Sequence, residues 1–240
     1  MKSQNFVRKE ALPLKWCAGC GLYSLFYQTC KVLADLNLKN TVIVSGIGCT
    51  GRIAGYFNLD TVHTLHGRAI PIAIGIKIAN PKLKVIVISG EGDLLSIGGN
   101  HLLHAARKNI DITILCNNNE VYAMTGGQVS PTTRKGGKTL TTPEGTQSEP
   151  FNTQGIIGSN SHYFYARTAP YLKEHLYKSI KEAIQHQGFS FVEMISPCLT
   201  NYAKYLGIKT AAGIITDTKK RYSLSKNKKL ALNEFGIIKK

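Results

Sequence analysis

The sequence has 240 residues, of which 43% are hydrophobic, and its formal net charge at pH 7 is +16. This length suits one domain, or one domain with a tail, and the composition is sufficient for a substantial core. There is no run of 18 apolar residues and no apolar segment near Met1, so we predict a cytoplasmic protein without a membrane span, whose six cysteines are ligands or buried thiols and not disulfides.

Hydrophobic patterns predict strands that alternate with helices along the chain. Apolar, β-branched runs predict buried strands at Thr41–Ser45, Lys84–Ser89, Ile112–Cys116 and Phe189–Ile195. Helical patterns cover Leu22–Leu36, Ala69–Ala79, Gly98–Arg107 and Tyr171–Gln187. This alternation predicts an α/β fold with a doubly wound, mainly parallel sheet that is covered on both faces.

Two segments depart from this alternation. Residues Thr125–Asn160 are rich in Gly, Thr, Ser and Pro, and a loop of this length is typical of a functional or disordered segment. Residues 204–240 contain ten Lys or Arg and two acidic residues, a net charge of +8. We therefore predict a domain at residues 1–203 and a basic C-terminal extension at residues 204–240. A solvated tail and a tail that attracts anionic partners both fit this charge.

Candidate ligand residues follow each of the four predicted strands directly. Ligands of open α/β sheets bind beyond the carboxyl ends of the strands, so these residues are expected to meet at one edge. In chain order they are Gly46–Cys49, Gly90–Asp93, Asn117–Glu120 and Ser196–Cys198.

The ends of the second and third predicted strands carry oxygen ligands that suit Mg²⁺. This ion prefers an octahedron of hard oxygen ligands and retains phosphate oxygens and water. Glu91, Asn119 and a backbone carbonyl supply half of such an octahedron, and a diphosphate with water supplies the rest. Gly90 and Gly92 allow phosphates to approach the backbone. The same residues also fit a tight glycine turn followed by an Asn-rich loop.

Four cysteines form a second candidate site, because Cys49 and Cys198 follow strands and Cys17 and Cys20 form a Cys-x-x-Cys pair. Four thiolates suit either Zn²⁺ or a cubane iron–sulfur cluster, and their spacing does not choose between the two. The pair alone also fits a redox motif. The two other cysteines, at positions 30 and 116, fall inside a predicted helix and strand and are expected to be buried thiols.

Histidines suggest two weaker sites. His101 and His104 are spaced i, i+3 on a predicted helix, but no acidic partner is evident and a buried or surface role is favoured over metal binding. His66, Gly67 and Arg68 open a helix, and cations at a helix N-terminus suit an anion such as phosphate. A surface turn is the alternative.

Several motifs resemble a known family. Gly90-Glu91-Gly92 followed by Asn118-Asn119 resembles the thiamine diphosphate signature, whose usual form begins Gly-Asp-Gly. Five further segments resemble the β subunit of 2-oxoacid:ferredoxin oxidoreductases. They are Trp16–Gly21, Gly46–Arg52, His66–Arg68, Gly98–Arg107 and Tyr122–Thr133. The likeness covers roughly residues 14–203 and is strongest with the 2-oxoglutarate branch.

This resemblance implies roles for residues at matching positions. The magnesium ligands would be Glu91, the side chain of Asn119 and the carbonyl of Val121, with Asp93 as the alternative carboxylate because Glu91 replaces the family's Asp. A 4Fe–4S cluster would be held by Cys17, Cys20, Cys49 and Cys198. The cofactor contacts would be Gly48, Cys49, His66, Gly67, Arg68, Gly90, Gly92, Asp93, Asn119, Val121, Met124 and Thr125. Arg52 is a candidate for the substrate carboxylate.

The resemblance also implies the reaction. A 2-oxoacid would be oxidatively decarboxylated to an acyl-CoA and CO₂, with ferredoxin as the electron acceptor. The substrate would be 2-oxoglutarate, with pyruvate and branched-chain 2-oxoacids as alternatives. The glutamate that activates thiamine would lie on a partner α subunit, so no catalytic residue is assigned in this chain; further small subunits also occur in such enzymes.

Two other functions compete with this one. A non-oxidative thiamine enzyme would share the magnesium motif but has no need of the four cysteines. A basic, Cys₄-zinc nucleic-acid-binding protein fits the charge, but the sequence contains no nucleic-acid-binding motif. We therefore predict small-molecule and protein partners, and neither nucleic acid nor membrane.

Overall fold

The computed structural model describes residues 1–158, 161–227 and 229–240. Its strands are β1 (Thr41–Ser45), β2 (Asp60–His63), β3 (Lys84–Gly90), β4 (Thr113–Asn118), β5 (Val121–Tyr122), β6 (Gln128–Val129), β7 (Phe164–Thr168), β8 (Ser190–Ile195), β9 (Ser223–Leu224) and β10 (Glu234–Lys239). Its α-helices are α1 (Leu22–Asp35), α2 (Ala69–Ala79), α3 (Gly99–Arg107), α4 (Thr153–Ile157), α5 (Lys173–Gln185) and α6 (Ala211–Arg221). A π-helical segment, Gly92–Ile97, precedes α3.

Eight of these strands form one sheet in the order β2-β1-β3-β4-β8-β7-β10-β9. Neighbouring strands from β2 to β7 are parallel. Only at the far edge does β10 pair antiparallel with β7, while β9 pairs parallel with β10. Strands β5 and β6 form a separate antiparallel pair. The predicted mainly parallel α/β sheet is confirmed.

Alternate side chains of the central strands enter two different cores. Ile43, Ile86 and Leu115 pack with the apolar faces of α1 and α5 on one side of the sheet. Val44 and Ile114 point to the other side and pack with α2 and α3. This double coverage explains why the strands are apolar throughout and why they were recognisable in the sequence.

The predicted helices and strands agree with the structure to within two residues at each end. Strand β4 extends past Cys116, because Asn117 and Asn118 continue the pairing with β8. The sequence did not predict β2, β7 or β10. Strand β2 is polar and partly exposed, and β7 and β10 carry charged residues that break the apolar pattern.

The C-terminal segment is packed onto the domain. Residues Gly236–Lys239 of β10 pair with β7, and Leu230, Phe235 and Ile238 are buried. The boundary after residue 203 stays a prediction, but the described part of residues 204–240 is not a free tail.

The predicted loop from Thr125 is largely irregular, although it contains β6 and α4. Its last two residues, 159 and 160, lie outside the described residues. Among the described residues, no helix is both long and apolar enough to cross a membrane.

Candidate functional site

The four predicted ligand segments meet at one edge of the sheet. Strands β1, β3, β4 and β8 are consecutive neighbours and parallel, so their carboxyl ends lie side by side. Two adjoining cavities open at this edge, one of about 100 Å³ and one of about 560 Å³. Both are lined by Cys49, Asn119, Ala123 and Met124, which therefore form a shared wall.

The smaller cavity contains most of the predicted cofactor positions. Gly67 and Arg68 do not line it; the Gly67 N–H instead donates to Asp93, and the Arg68 guanidinium donates to the Gly67 carbonyl. The predicted residues that do line it are Gly48, Cys49, His66, Gly90, Glu91, Gly92, Asp93, Asn119, Val121, Met124 and Thr125. The resemblance and the geometry thus point to the same cavity.

Glu91 is a buried carboxyl group with an unused oxygen. The side chain is 1% exposed, and its Oε2 accepts a hydrogen bond from the Asn119 N–H at 3.2 Å. Its Oε1 has no hydrogen-bond partner within the part of the chain that the structure describes. Burial is the main cause that raises the pKa of this carboxyl to about 8. A bound divalent cation would satisfy the oxygen and favour the ionised form.

Asp93 lies two residues later, but its oxygens already have partners. Oδ1 accepts from the Gly67 N–H at 2.7 Å and from the Ile47 N–H at 3.3 Å, and His66 Nδ1 lies 2.7 Å away. Oδ2 accepts from the Ser89 hydroxyl at 2.9 Å. Asp93 therefore ties together the loops that follow β1, β2 and β3.

The four predicted cluster cysteines all line the larger cavity. Cys17 is exposed, and Cys20, Cys49 and Cys198 are partly buried. Burial, together with the three other thiols, raises the pKa of Cys20 to about 11. The four cysteines thus share one cavity.

Polar groups surround these sulfurs. The Thr200 hydroxyl donates to Cys17 Sγ at 3.3 Å, and the Asn201 N–H donates to Cys198 Sγ at 3.2 Å. The Trp16 indole N–H donates to the Cys49 carbonyl at 2.8 Å and fixes this loop. Within residues 1–158, 161–227 and 229–240, no three His, Cys, Asp or Glu side chains are grouped as ligands of a single metal ion. The four thiols line a cavity and are not arranged around the position of a single ion.

The remaining predicted residues lie elsewhere. Cys30 and Cys116 are buried in the two cores, as predicted. His101 and His104 lie on α3 and line neither cavity. Arg52 lines the thiol cavity, where it donates to the Lys15 carbonyl at 3.4 Å.

The sequence analysis missed a buried polar network behind the site. Glu193 on β8 accepts hydrogen bonds from Asn118 at 2.8 Å, Tyr165 at 2.5 Å and Arg167 at 3.0 Å. Burial favours a raised pKa for Glu193, but Arg167 and the hydrogen bonds outweigh it and the pKa is lowered. The sequence did contain a signal for this network, because Arg167 interrupts one apolar run and Glu193 interrupts another. These two residues pair across β7 and β8. The network supports Asn118, next to Asn119.

The fold and the site correspond to a class of cofactor-binding enzymes. Residues 46–194 match a family model described as thiamine pyrophosphate enzyme, C-terminal TPP binding domain. The matched residues include the whole wall of the smaller cavity and the strands β3 and β4. The chain therefore contains a thiamine diphosphate-binding domain.

Individual relatives narrow this class. The chain is 45% identical over 200 residues to 2-oxoglutarate synthase subunit KorB of Archaeoglobus fulgidus, an alignment that covers 82% of this chain and 74% of the relative. It is 43% identical over 189 residues to the 2-oxoacid:ferredoxin oxidoreductase subunit beta of Saccharolobus solfataricus, covering 77% of this chain and 62% of the relative. The chain belongs to the β-subunit family of the 2-oxoacid:ferredoxin oxidoreductases.

A solved structure supports the same assignment. The 2-oxoglutarate:ferredoxin oxidoreductase from Magnetococcus marinus, with 2-oxoglutarate, coenzyme A and succinyl-CoA bound, is 28% identical, with a TM-score of 0.88. The match covers 100% of this chain and 85% of that chain. These relatives are oxidoreductase subunits, and they do not favour the zinc nucleic-acid-binding or the non-oxidative alternative.

Proposed function

We propose that this chain is the β subunit of a cytoplasmic 2-oxoglutarate:ferredoxin oxidoreductase. The enzyme converts the 2-oxoacid and coenzyme A to an acyl-CoA and CO₂ and transfers the electrons to ferredoxin. The observation that carries the proposal is the pair of adjoining cavities: one contains a buried carboxyl group with one oxygen that has no partner among the described residues, and the other contains four thiols. Relatives named 2-oxoglutarate synthase favour 2-oxoglutarate over pyruvate or branched-chain substrates.

Magnesium is assigned to Glu91, the Asn119 side chain and the Val121 carbonyl. Glu91 is preferred to Asp93, because one Glu91 oxygen has no partner among the described residues whereas Asp93 already accepts from two N–H groups and a hydroxyl. Asn119 Oδ1 accepts from the Val121 N–H at 3.2 Å, which orients the amide in the wall of the cavity. The diphosphate would complete the coordination of the ion.

The cofactor supplies, when bound, the nucleophilic carbon and the electron sink of the decarboxylation. This chain's own residues bind and orient it. His66, near the N-terminus of α2, and the open space at Gly48 suit an anionic group. Gly48 has φ of +100° and no atom within 4 Å of an added Cβ, so the backbone can approach the cofactor closely.

The four thiols are assigned to a 4Fe–4S cluster. The cluster accepts electrons one at a time, which an oxidative decarboxylation requires. The hydrogen bonds from Thr200 and the Asn201 N–H would stabilise negative charge on two of the sulfurs. Because the two cavities share a wall, a cluster bound by these thiols would lie beside the cofactor.

An α subunit is required to complete the active site. Among the described residues that line the two cavities, Glu91 is the only glutamate, and it is assigned to the metal. The glutamate that activates thiamine in this family is therefore assigned to the partner. Coenzyme A and the 2-oxoacid would bind where the subunits meet.

The test is an anaerobic assay of this chain co-expressed with its α subunit. We expect ferredoxin reduction that depends on both 2-oxoglutarate and coenzyme A and is slower with pyruvate. A preference for pyruvate would contradict the substrate. Release of CO₂ without ferredoxin reduction would favour the non-oxidative alternative.

A further inference from the structure

Glu120 has an unusual backbone conformation for its residue type. It stands between Asn119 and Val121, the two residues assigned to magnesium, with φ of +65°. Residues other than Gly, Asn and Asp rarely adopt this left-handed backbone conformation, because their Cβ comes too close to the neighbouring carbonyl oxygen. The side chain is also buried, at 2% exposed. Some interaction must therefore hold Glu120 in place.

That interaction comes from the last residue of α6. The Arg221 guanidinium donates to Glu120 Oε1 at 2.7 Å, and both side chains are largely buried. Arg221 Nε also donates to Asp217 Oδ2 at 2.9 Å, one turn earlier in the helix. Asp217 in turn contacts Arg134 at 3.4 Å. These bonds fix the guanidinium on a helix, so that it opposes Glu120 in one orientation.

The backbone of Glu120 is anchored as well. Its carbonyl accepts a hydrogen bond from the Thr133 hydroxyl at 2.6 Å. Its N–H donates to Asn118 Oδ1 at 3.1 Å. Thus Arg221 of α6 holds the side chain of Glu120, while Asn118 and Thr133 hold its backbone.

We propose that Arg221 is a positioning residue for the magnesium loop. Its ion pair with Glu120 offsets the cost of the left-handed conformation, and that conformation presents the Asn119 side chain and the Val121 carbonyl to the same ion. The inference rests on the proposed magnesium ligands. Helix α6 also lines the thiol cavity through Ala211, Ile214, Ile215 and Thr218, so the helix that contacts the magnesium loop also contributes to the thiol site.

The first test removes the charge and the hydrogen-bond donors of Arg221 but keeps an unbranched, flexible stem. In the complex of this chain with its α subunit, Arg221→Met is expected to weaken magnesium-dependent thiamine diphosphate binding about tenfold by calorimetry, a loss typical of releasing a strained backbone conformation. Lys220→Met, on the same helix but exposed, is the matched control and should bind as wild type does. A lower melting temperature with unchanged cofactor affinity would show that Arg221 only secures α6 and would overturn the proposal.

The second test places glycine at position 120, because glycine needs no ion pair to hold a positive φ. Glycine adopts positive φ without strain, so Glu120→Gly should retain wild-type affinity although the ion pair is lost. In that background, Arg221→Met should cause no further loss. Two additive losses, or a tenfold loss in Glu120→Gly alone, would contradict the proposal. If Arg221→Met fails to fold, the cofactor affinity of Glu120→Gly alone still tests the proposal.

The proposed ligands are tested separately by Asn119→Ala. If Asn119→Ala retains wild-type cofactor affinity, the magnesium assignment itself is wrong. If Asn119→Ala loses the cofactor while Arg221→Met binds normally, only the role of Arg221 is wrong.

Discussion

Glu91 and Asp93 are two residues apart, but their surroundings give them different roles. The sequence left open which of them binds magnesium, because both follow the same strand. Their partners differ, since Asp93 joins three loops and one Glu91 oxygen has no partner in the described part of the chain, and this difference supports the proposal of Glu91 as the ligand. Such a distinction depends on atoms from β1 and β2 loops that lie 26 to 46 residues away in the chain, and local sequence patterns do not contain it.

Asn119→Ala is expected to abolish most of the magnesium-dependent thiamine diphosphate binding. The substitution removes one of three protein ligands of an ion that requires near-ideal octahedral geometry. We expect at least about a tenfold loss of affinity in calorimetry, since even indirect partners of metal ligands are typically worth that much. Binding equal to that of wild type would place the metal elsewhere.

Substitutions at Glu91 distinguish the two carboxylates. Glu91→Gln keeps the volume but removes the charge, and it should weaken binding and reduce its dependence on magnesium. Glu91→Asp restores the family's residue and should bind at least as tightly as wild type. If the Gln variant binds normally, Glu91 is not the metal ligand, and Asp93→Asn becomes the deciding comparison.

The burial of His175 leads us to expect that the stability of the fold depends on pH. Its Nδ1 lies 2.9 Å from the Thr168 hydroxyl, and burial, with Lys178 nearby, lowers its pKa below the ordinary 6.5. Since the unfolded chain binds the proton more readily, this residue stabilises the fold above pH 6.5 and loses that contribution as pH falls through its lower folded pKa. The melting temperature should therefore fall more between pH 7.5 and 5.5 in wild type than in His175→Gln. An equal fall would show that other groups control the acid response.

At the scale of elements, apolar strands and amphipathic helices were predictable, and charged strands were not. Strands β1, β3, β4 and β8 are buried on both faces, so their sequences are mostly apolar and they define the edge where the site lies. Strand β7 contains Arg167, whose burial is offset by Glu193 opposite on β8 and by three backbone carbonyls at and just before the start of β10. That pairing exists only after folding, which is why β7 was missed.

The C-terminal segment shows a similar limit. Its charge suggested a solvated extension, yet Arg221 pairs with Glu120, and Lys239 lies 2.9 Å from Glu182. Lys219 and Lys220 remain exposed, and Lys219 lies over the ring of Tyr171, which lines the thiol cavity. Positive charge is thus available close to the proposed cluster.

We expect these two lysines to aid the encounter with an acidic ferredoxin. Neutralising Lys219 and Lys220 together should lower the second-order rate of ferredoxin reduction and flatten its salt dependence, because exposed charges act over a Debye length of about 8 Å at physiological ionic strength. Assembly with the α subunit should be unchanged. If assembly fails first, the lysines dock the subunit, and if neither quantity changes, their charge affects only solubility. Arg221 is left intact because it is buried in an ion pair.

At the scale of the whole molecule, one edge of one sheet carries both proposed cofactor sites. Parallel pairing of β1, β3, β4 and β8 brings together residues from position 46 to position 198. Cys49 and Asn119 lie in the wall between the cavities, so the loops that follow β1 and β4 contribute to both sites. In the proposed function, a cofactor and a cluster bound in these cavities would exchange electrons across the shared wall.

The iron content of the protein is therefore the most direct test of the account. After purification without oxygen, the protein is expected to be brown, with a broad visible absorption from thiolate-to-iron charge transfer and about four irons per chain. Replacing Cys49 with Ser should reduce both signals, whereas Cys30→Ser, in the core, should leave the iron content unchanged. Stoichiometric zinc in a colourless protein would contradict the cluster, and with it the proposed oxidative function.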